Sequence, residues 1–221
     1  MRLKAVLFDA YGTLFDIDSG VLGAGKSIRG DLRALSTSWR QRQLEYTWLR
    51  SVMGRYEDFW SLTQTALVST LWELHIEASE AQRNILLQAY LCPFIFPDVK
   101  SALERLALVP RVILSNGSPK MLQSAVQQNA LEGIFADVIS VERVRTYKPS
   151  RLVYALGTES LGFRADEILF VSSNWWDAWG AKAYGYSVCW CNRSRAQIEF
   201  PDCAPDFEVT QLYEIADRLG F

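Results

Sequence analysis

The sequence predicts an α/β protein: a Rossmann-like, mostly parallel sheet with helices on both faces, interrupted by an inserted helical segment. Short apolar runs alternate with segments of helical period through the second half of the chain, as expected for successive βα units. Between residues 17 and 95 the apolar residues recur at helical spacing alone. Ligands of open α/β sheets bind at the carboxyl ends of the strands, so this edge is where a site is expected.

The first predicted strand spans residues 5–8, so Asp9 lies at its carboxyl end, at that edge. Its apolar run is continuous, which is typical of a parallel strand buried on both faces, and Gly12-Thr13 then breaks it. A carboxylate in this position is suited to act as a nucleophile. Aspartate also commonly forms turns, so this stretch alone leaves both interpretations open.

The predicted helical insertion spans residues 17–95 and forms a cap subdomain between two core segments, residues 1–16 and 96–221. Pro93 and Pro97 mark the end of the insertion, because proline interrupts helices.

Within the insertion, the four glycines of residues 19–30 predict a loop, and Asp31 is suited to cap the helix that follows. Gly54 is expected to split the next helical tract. That tract carries apolar residues at every fourth position: Leu44, Trp48, Val52, Tyr56 and Trp60. Two further helices are predicted over residues 62–74 and 81–89.

The second half of the chain reads as strands over residues 111–115, 136–141, 167–172, 187–191 and 207–209. Helices are predicted over residues 119–129, 150–161 and 175–184, with a last helix ending near residue 218. Because parallel strands end at the same edge, Asp9, Ser115 and Ser172 should lie together beneath the insertion.

Composition limits the classes of partner. With 221 residues, 49% of them hydrophobic, the chain can bury a full core in one or two domains. A formal net charge of −2 creates no field that would attract nucleic acid or an anionic membrane, so any anion must be recognised locally. The apolar run before Asp9 is too short for a signal peptide, and we expect a cytoplasmic protein without a membrane span.

The cysteines and the single histidine do not indicate a metal site. Cys92, Cys189, Cys191 and Cys203 form no CxxC motif and are interpreted as reduced packing residues. His75 lies far along the chain from the cysteines, and we expect it at a helix end or on the surface. Neither a zinc site nor a Ser-His-Asp mechanism is therefore predicted.

The spacing Asp9-Ala-Tyr11-Gly12-Thr13 resembles the signature of the haloacid dehalogenase (HAD) superfamily. The magnesium-dependent phosphatases of that superfamily carry a second aspartate two residues after the first. Here Tyr11 takes that place, and its phenol offers a hard cation no carboxylate oxygen. The difference favours the dehalogenase branch.

Four further stretches are similar to motifs of the L-2-haloacid dehalogenases, and the resemblance covers nearly the whole chain. They are residues 39–59 of the predicted cap, 114–119, 147–149 with Tyr154, and 170–177. The resemblance implies hydrolytic conversion of L-2-haloalkanoic acids to D-2-hydroxyalkanoic acids and halide, through an ester on Asp9. It further implies no metal, no cofactor and a homodimer.

The resemblance also assigns roles to residues. Lys148 would keep the Asp9 nucleophile ionised, which agrees with the effect of a nearby positive charge on a carboxyl pKa. Arg40 would accept the halide, and Ser115 and Asn116 would bind the substrate carboxylate with hydroxyl and N–H donors.

Asn174 and Asp177 would position and activate the hydrolytic water. The polar network would be completed by Tyr11, Thr13, Tyr154 and Ser172. The apolar side of the pocket would be walled by Leu44, Phe59 and Trp176, although core packing explains these three equally well.

Two alternatives stay open. A phosphatase of the same superfamily would need an acidic cluster for Mg²⁺, of which only Asp177 remains in the last motif. A catalytically silent binding protein would not need Asp9, Lys148, Arg40 and Asp177 together.

Trp175 and Trp179 depart from the family pattern, which more often has small residues there. Trp175 either narrows the pocket and favours short substrates or packs against the cap and leaves the pocket unchanged.

Overall fold

The structure is a computed structural model, and it describes residues 3–198 and 201–220. Its strands are, in chain order, β1 (Ala5–Phe8), β2 (Phe15–Asp16), β3 (Phe94–Ile95), β4 (Arg111–Ser115), β5 (Asp137–Ser140), β6 (Ile168–Ser172), β7 (Ser187–Cys191) and β8 (Phe207–Val209). Its α-helices are α1 (Ile17–Ala24), α2 (Leu32–Val52), α3 (Phe59–Glu73), α4 (Glu80–Leu91), α5 (Val99–Arg105), α6 (Pro119–Gln128), α7 (Arg151–Leu161), α8 (Trp175–Tyr184) and α9 (Glu214–Leu219).

Six strands form one parallel sheet in the order β5-β4-β1-β6-β7-β8. In the centre, Phe8 lies opposite Ile113 of β4 and Val171 of β6. The residue that follows β1 therefore emerges between the ends of two neighbouring strands, at the edge where ligands of such sheets bind. Helices flank this sheet, and the predicted Rossmann-like fold class is confirmed.

Helices α1 to α4 lie between β2 and β3, two short strands that pair antiparallel with Phe15 opposite Ile95. The chain thus leaves the sheet and returns to it at one place. Within the insertion, α2 packs against α3, and α1 packs against both α2 and α4. Buried residues such as Leu35, Trp39 and Tyr90 continue the hydrophobic core into this bundle.

The predicted loop over residues 19–30 is wrong at its start, where the chain forms α1 and a short 3₁₀ turn, Gly25–Ser27. Asp16 caps α1 by accepting a hydrogen bond from the backbone N–H of Ser19 at 3.0 Å. A Cβ added to Gly20 would lie 3.3 Å from Cβ of Ala89. That glycine therefore allows two helices to approach closely.

The predicted break near Gly54 is confirmed. Helix α2 ends at Val52, Gly54 adopts φ +62°, and Asp58 caps α3. The predicted apolar stripe does not continue across the break, because Val52 is 88% exposed.

Several local predictions agree with the structure, but the short strands β2 and β3 and one helix of the core were not predicted. Asp31 caps α2, His75 is exposed just after α3, and Cys189 and Cys191 are buried in β7. Helix α5 was not predicted. Across the described residues, no helix has the length and apolarity needed to cross a membrane.

Candidate active site

Asp9 follows β1 directly and its side chain is buried at the edge of the sheet. Its backbone N–H donates to the carbonyl of Val171 at 2.9 Å, which extends the β1–β6 pairing by one residue. The loop then turns at Gly12, with φ +86°, where an added Cβ would lie 3.3 Å from Oδ1 of Asn174. Glycine thus lets the loop turn beneath the Asn174 side chain.

The two carboxylate oxygens of Asp9 have different partners. Nζ of Lys148 lies 2.9 Å from Oδ1. Oδ2 accepts three hydrogen bonds: from Nδ2 of Asn174 at 2.7 Å, Oγ1 of Thr13 at 3.0 Å and Oγ of Ser172 at 3.2 Å. Burial alone would raise the pKa of Asp9, but Lys148, Arg40 and the amide of Asn174 outweigh it and hold that pKa below its ordinary value. Asp9 is therefore an ionised carboxylate in a fixed orientation.

Lys148 bridges Asp9 to a second buried carboxylate, Asp177, with Nζ 2.7 Å from its Oδ2. The hydroxyl of Tyr154 donates to Oδ1 of Asp177 at 2.8 Å. Burial raises the pKa of Asp177 to about 6, against the pull of Lys148 and with a further push from the charge of Asp9. Burial opposes the charged form of Lys148, but the two carboxylates outweigh it and raise its pKa. The site thus holds an ammonium between one firmly ionised carboxylate and one that titrates near pH 6.

Arg40 reaches from α2 to the loop that carries the nucleophile. Its Nη2 donates to the carbonyl of Tyr11 at 3.1 Å, and its Nη1 donates to Oε1 of Gln43 at 3.1 Å. Gln43 in turn donates to Oγ1 of Thr63 on α3 at 2.5 Å. Sequence reasoning did not assign a role to Gln43, whose spacing of three residues from Arg40 on one helix was the available signal.

Tyr11 takes part in the polar network through its backbone. Its carbonyl accepts from Arg40 and, at 3.0 Å, from Nδ2 of Asn174. Its hydroxyl points away, to the carbonyl of Tyr90 at 3.2 Å, and its ring lies 6.3 Å from that of Phe59.

Ser115 is the last residue of β4 and Asn116 follows it, beside this network. Oγ of Ser115 accepts from the N–H of Gly117 at 3.1 Å, and Oδ1 of Asn116 accepts from the backbone N–H of Lys148 at 3.1 Å. Both side chains are buried. The hydroxyl proton of Ser115 and the amide nitrogen of Asn116 remain suited to an anion.

A cavity of about 580 Å³ lies at the seam between the inserted helices and the sheet. It is lined by Trp48, Ser51, Val52, Thr146, Tyr147, Lys148, Pro149, Ser150, Trp175 and Trp176. The rings of Trp48 and Trp176 meet edge to face at 5.6 Å. Leu44 and Phe59, predicted to wall the pocket with Trp176, are buried.

The oxygen atoms around Asp9 are not arranged as ligands for a hard divalent cation. The ammonium of Lys148 already lies between the carboxylates of Asp9 and Asp177, and the carbonyl of Tyr11 accepts from both Arg40 and Asn174. Over residues 3–198 and 201–220, no group of three or more histidine, cysteine, aspartate or glutamate side chains could hold a metal ion.

A fixed, ionised aspartate at the end of β1, paired with a buried lysine beneath inserted helices, defines a hydrolase that uses an aspartate nucleophile. The sequence profile of the haloacid dehalogenase-like hydrolases matches residues 3–185. The chain is 42% identical to haloacetate dehalogenase H-2 of Moraxella sp. (strain B), over 99% of each chain. It is 41% identical to (S)-2-haloacid dehalogenase H-109 of Pseudomonas putida, over 98% of each.

The solved structure of the L-2-haloacid dehalogenase of Xanthobacter autotrophicus with chloropropionic acid covalently bound is similar throughout. It is 39% identical, its TM-score is 0.90, and the similarity covers 99% of each chain. The chain therefore belongs to the haloacid dehalogenase-like hydrolases and, within them, to the (S)-2-haloacid dehalogenases.

Proposed function

We propose that this enzyme hydrolyses L-2-haloalkanoic acids to D-2-hydroxyalkanoic acids and halide, through an ester on Asp9. The observation that carries the proposal is the asymmetric binding of the Asp9 carboxylate, with Oδ1 paired to Lys148 and Oδ2 held by three donors. The covalently bound chloropropionic acid in the Xanthobacter relative supports an ester intermediate.

In the first step, Oδ1 of Asp9 attacks C2 of the substrate. The electron pair of the carbon–halogen bond leaves with the halide, and C2 inverts. Arg40 supplies the positive charge that receives the halide, while Ser115 and Asn116 hold the substrate carboxylate and fix the line of attack. Lys148 keeps Asp9 ionised until the attack.

In the second step, water attacks Cγ of the Asp9 ester. Asp177 takes the proton from this water, and Asn174, Thr13 and Ser172 stabilise the negative charge that develops on Oδ2. The Cγ–Oδ1 bond then breaks, and Oδ1 leaves with the product as its hydroxyl oxygen after taking the proton from Asp177. The second proton of the water is released to solvent as the carboxylate of Asp9 re-forms. Because C2 inverts only once, an L substrate gives a D product.

The inserted helices serve as a cap that covers this chemistry, with Leu44, Phe59 and Trp176 as its apolar wall. The observations that support a cap are the contact of Arg40 with the nucleophile loop and the cavity at the seam. The homodimer and the cytoplasmic location stay predictions.

The experiment that tests the proposal compares halide release from L- and D-2-chloropropionate, with and without EDTA, beside hydrolysis of p-nitrophenyl phosphate with Mg²⁺. We expect release from the L isomer in both buffers, a D-hydroxy acid product and no phosphatase activity. Activity that is lost in EDTA and restored by Mg²⁺ would instead support the phosphatase alternative.

Arg40→Ala should lower turnover by about 10²-fold or more because the halide loses its partner. Arg42→Ala, on the same helix and paired with Glu73, should not.

A further inference from the structure

Arg193, two residues after β7, forms a bidentate ion pair with Asp98 on the far side of the nucleophile loop. Its Nη1 lies 2.9 Å from Oδ2 of Asp98 and its Nη2 lies 3.1 Å from Oδ1. The two side chains are 19% and 3% exposed. Such a pair constrains geometry strongly, while its net contribution to stability is often small.

Asp98 does not use its carboxylate for its own helix. It occupies the N-cap position of α5, where aspartate commonly accepts from the first-turn N–H groups, but it makes no such bond. Its Oδ2 instead accepts from the N–H of Leu212 at 2.6 Å and from Arg193. The local cap is replaced by contacts between distant segments.

Arg193 also contacts the active-site loop directly. Its Nη2 donates to the carbonyl of Thr13 at 3.1 Å. The hydroxyl of Thr13 donates to Oδ2 of Asp9 at 3.0 Å and accepts from the N–H of Ser173 at 2.8 Å. Thr13 therefore links the guanidinium of Arg193 to the Asp9 nucleophile.

The same guanidinium lies against the place where the chain returns from the cap. The guanidinium carbon, Cζ, lies 4.0 Å from the ring centre of Phe96, the residue after β3. The N–H of Phe96 donates to the carbonyl of Leu14 at 3.0 Å, next to Thr13. Arg193 therefore touches the nucleophile loop and the return crossing together.

We propose that Arg193 is a positioning residue for this reaction. It fixes the peptide unit of Thr13, so that the Thr13 hydroxyl holds Oδ2 of Asp9 while the ester forms and is hydrolysed. Donors to a developing charge act through their preorganisation, and a displacement of about 1 Å can cost about 10²-fold in rate. The inference rests on the proposed function.

The test is steady-state kinetics of Arg193→Met with L-2-chloropropionate. Methionine keeps an unbranched chain over Phe96 and removes the guanidinium donor to the Thr13 carbonyl. We expect kcat to fall about 10- to 100-fold with KM within about twofold, because Ser115, Asn116 and Arg40 bind the substrate from other elements.

Arg193→Met leaves Asp98 buried without its cation, which lowers Tm. The double variant Arg193→Met with Asp98→Asn removes both charges, so Tm should recover while kcat stays low. Arg193→Lys keeps a positive charge next to Asp98 but loses the two-nitrogen geometry of the guanidinium. This variant should fold, and its kcat should also fall.

Arg105→Met is the matched control. It breaks a bidentate pair with Asp217 that also joins α5 to the C-terminal part of the chain, but it contacts no active-site residue. Its kcat should equal that of the wild type. Recovery of kcat together with Tm in the double variant, or an equal loss in Arg105→Met, would overturn the inference. A wild type that releases no halide would instead refute the proposed function.

Discussion

At the scale of single residues, the two carboxylates that share Lys148 have different protonation tasks. Asp9 must be ionised to attack, and its pKa is held below the ordinary value by Lys148 despite burial. In the proposed mechanism Asp177 accepts a proton from water, and its pKa of about 6 leaves it ionised but basic near neutral pH. The buried ammonium of Lys148 contacts one oxygen of each carboxylate, and the other oxygens accept from Asn174 and from Tyr154.

We expect the hydrogen bond from Tyr154 to Asp177 to shift the acidic limb of activity. It stabilises the ionised carboxylate and therefore lowers the pKa of Asp177. Tyr154→Phe should raise that pKa, so a smaller fraction of Asp177 is ionised at any acidic pH, and the fall of kcat should begin at higher pH by up to about one unit. The measurement is kcat at saturating substrate between about pH 4.5 and 8.5.

Tyr184→Phe is the control, since its ring lies 5.9 Å from that of Tyr154 while its hydroxyl contacts Thr158 instead of Asp177. An acidic limb that is the same in both variants and the wild type would contradict this role of Tyr154.

Because parallel strands end at one edge of a sheet, the sequence predicted that Asp9, Ser115 and Ser172 lie together. Lys148, Asn174 and Asp177 were assigned to the same site through the family resemblance. Arg193 was missed because its contacts join segments far apart in the chain, which no local pattern records. Gln43 was missed although it lies three residues from Arg40 on the same helix, because that spacing alone does not distinguish it from other polar residues of the helix.

At the scale of elements, glycine was the least informative signal. Gly54 ends a helix with a left-handed φ, whereas Gly20 lies inside α1 and lets it approach Ala89. Gly54 stands alone in the sequence and was predicted correctly, whereas Gly20 belongs to the four glycines of residues 19–30 that wrongly predicted a loop at this point. Helix α5 was missed because its seven residues are too few for a clear period.

The N-cap of α3 offers a test of local stability. Asp58 accepts hydrogen bonds from the backbone N–H and the hydroxyl of Ser61, at 3.0 and 2.7 Å. Asp58→Ala should therefore lower the free energy of unfolding by about 1 kcal/mol in urea titrations near pH 7. Ser150→Ala, at an N-cap whose side chain makes no capping bond, should cost much less.

The pH dependence of this loss follows from the pKa of Asp58. Burial would raise it, but the bonds from Ser61 and nearby N–H groups outweigh burial and lower it from 3.8. The ionised form is thus favoured by folding, so its stabilisation is present above the unfolded pKa and disappears as pH falls through the folded value. A loss in Asp58→Ala that is as large at acidic pH as at pH 7 would contradict the assignment.

At the scale of the whole molecule, alternation of strands and helices predicted the sheet because each βα unit can pack in few ways. The seam between the inserted helices and the sheet could not be predicted, since its shape depends on how α2 packs against α8. In the structure the seam contains the cavity that Trp48 and Trp176 line.

Trp175 lies on the rim of that cavity, 38% exposed, with its ring edge to face with Trp179 at 6.3 Å. Trp175 lines the same cavity as Trp176, so under the narrowing interpretation it takes up space that a longer acyl chain would need. We therefore expect the wild type to favour bromoacetate and 2-bromopropionate over 2-bromohexanoate.

Trp175→Ala should shift this preference toward longer substrates. Each substrate methylene that becomes buried in the space left by the indole adds about 1 kcal/mol to transition-state binding. The ratio of kcat/KM for 2-bromohexanoate to that for bromoacetate should rise about 10-fold or more. Trp72→Ala, which removes a tryptophan that is 80% exposed on α3, is the control and should leave the ratio unchanged. If the chain-length profile of Trp175→Ala matches that of the wild type, Trp175 does not limit the pocket and only packs at the seam.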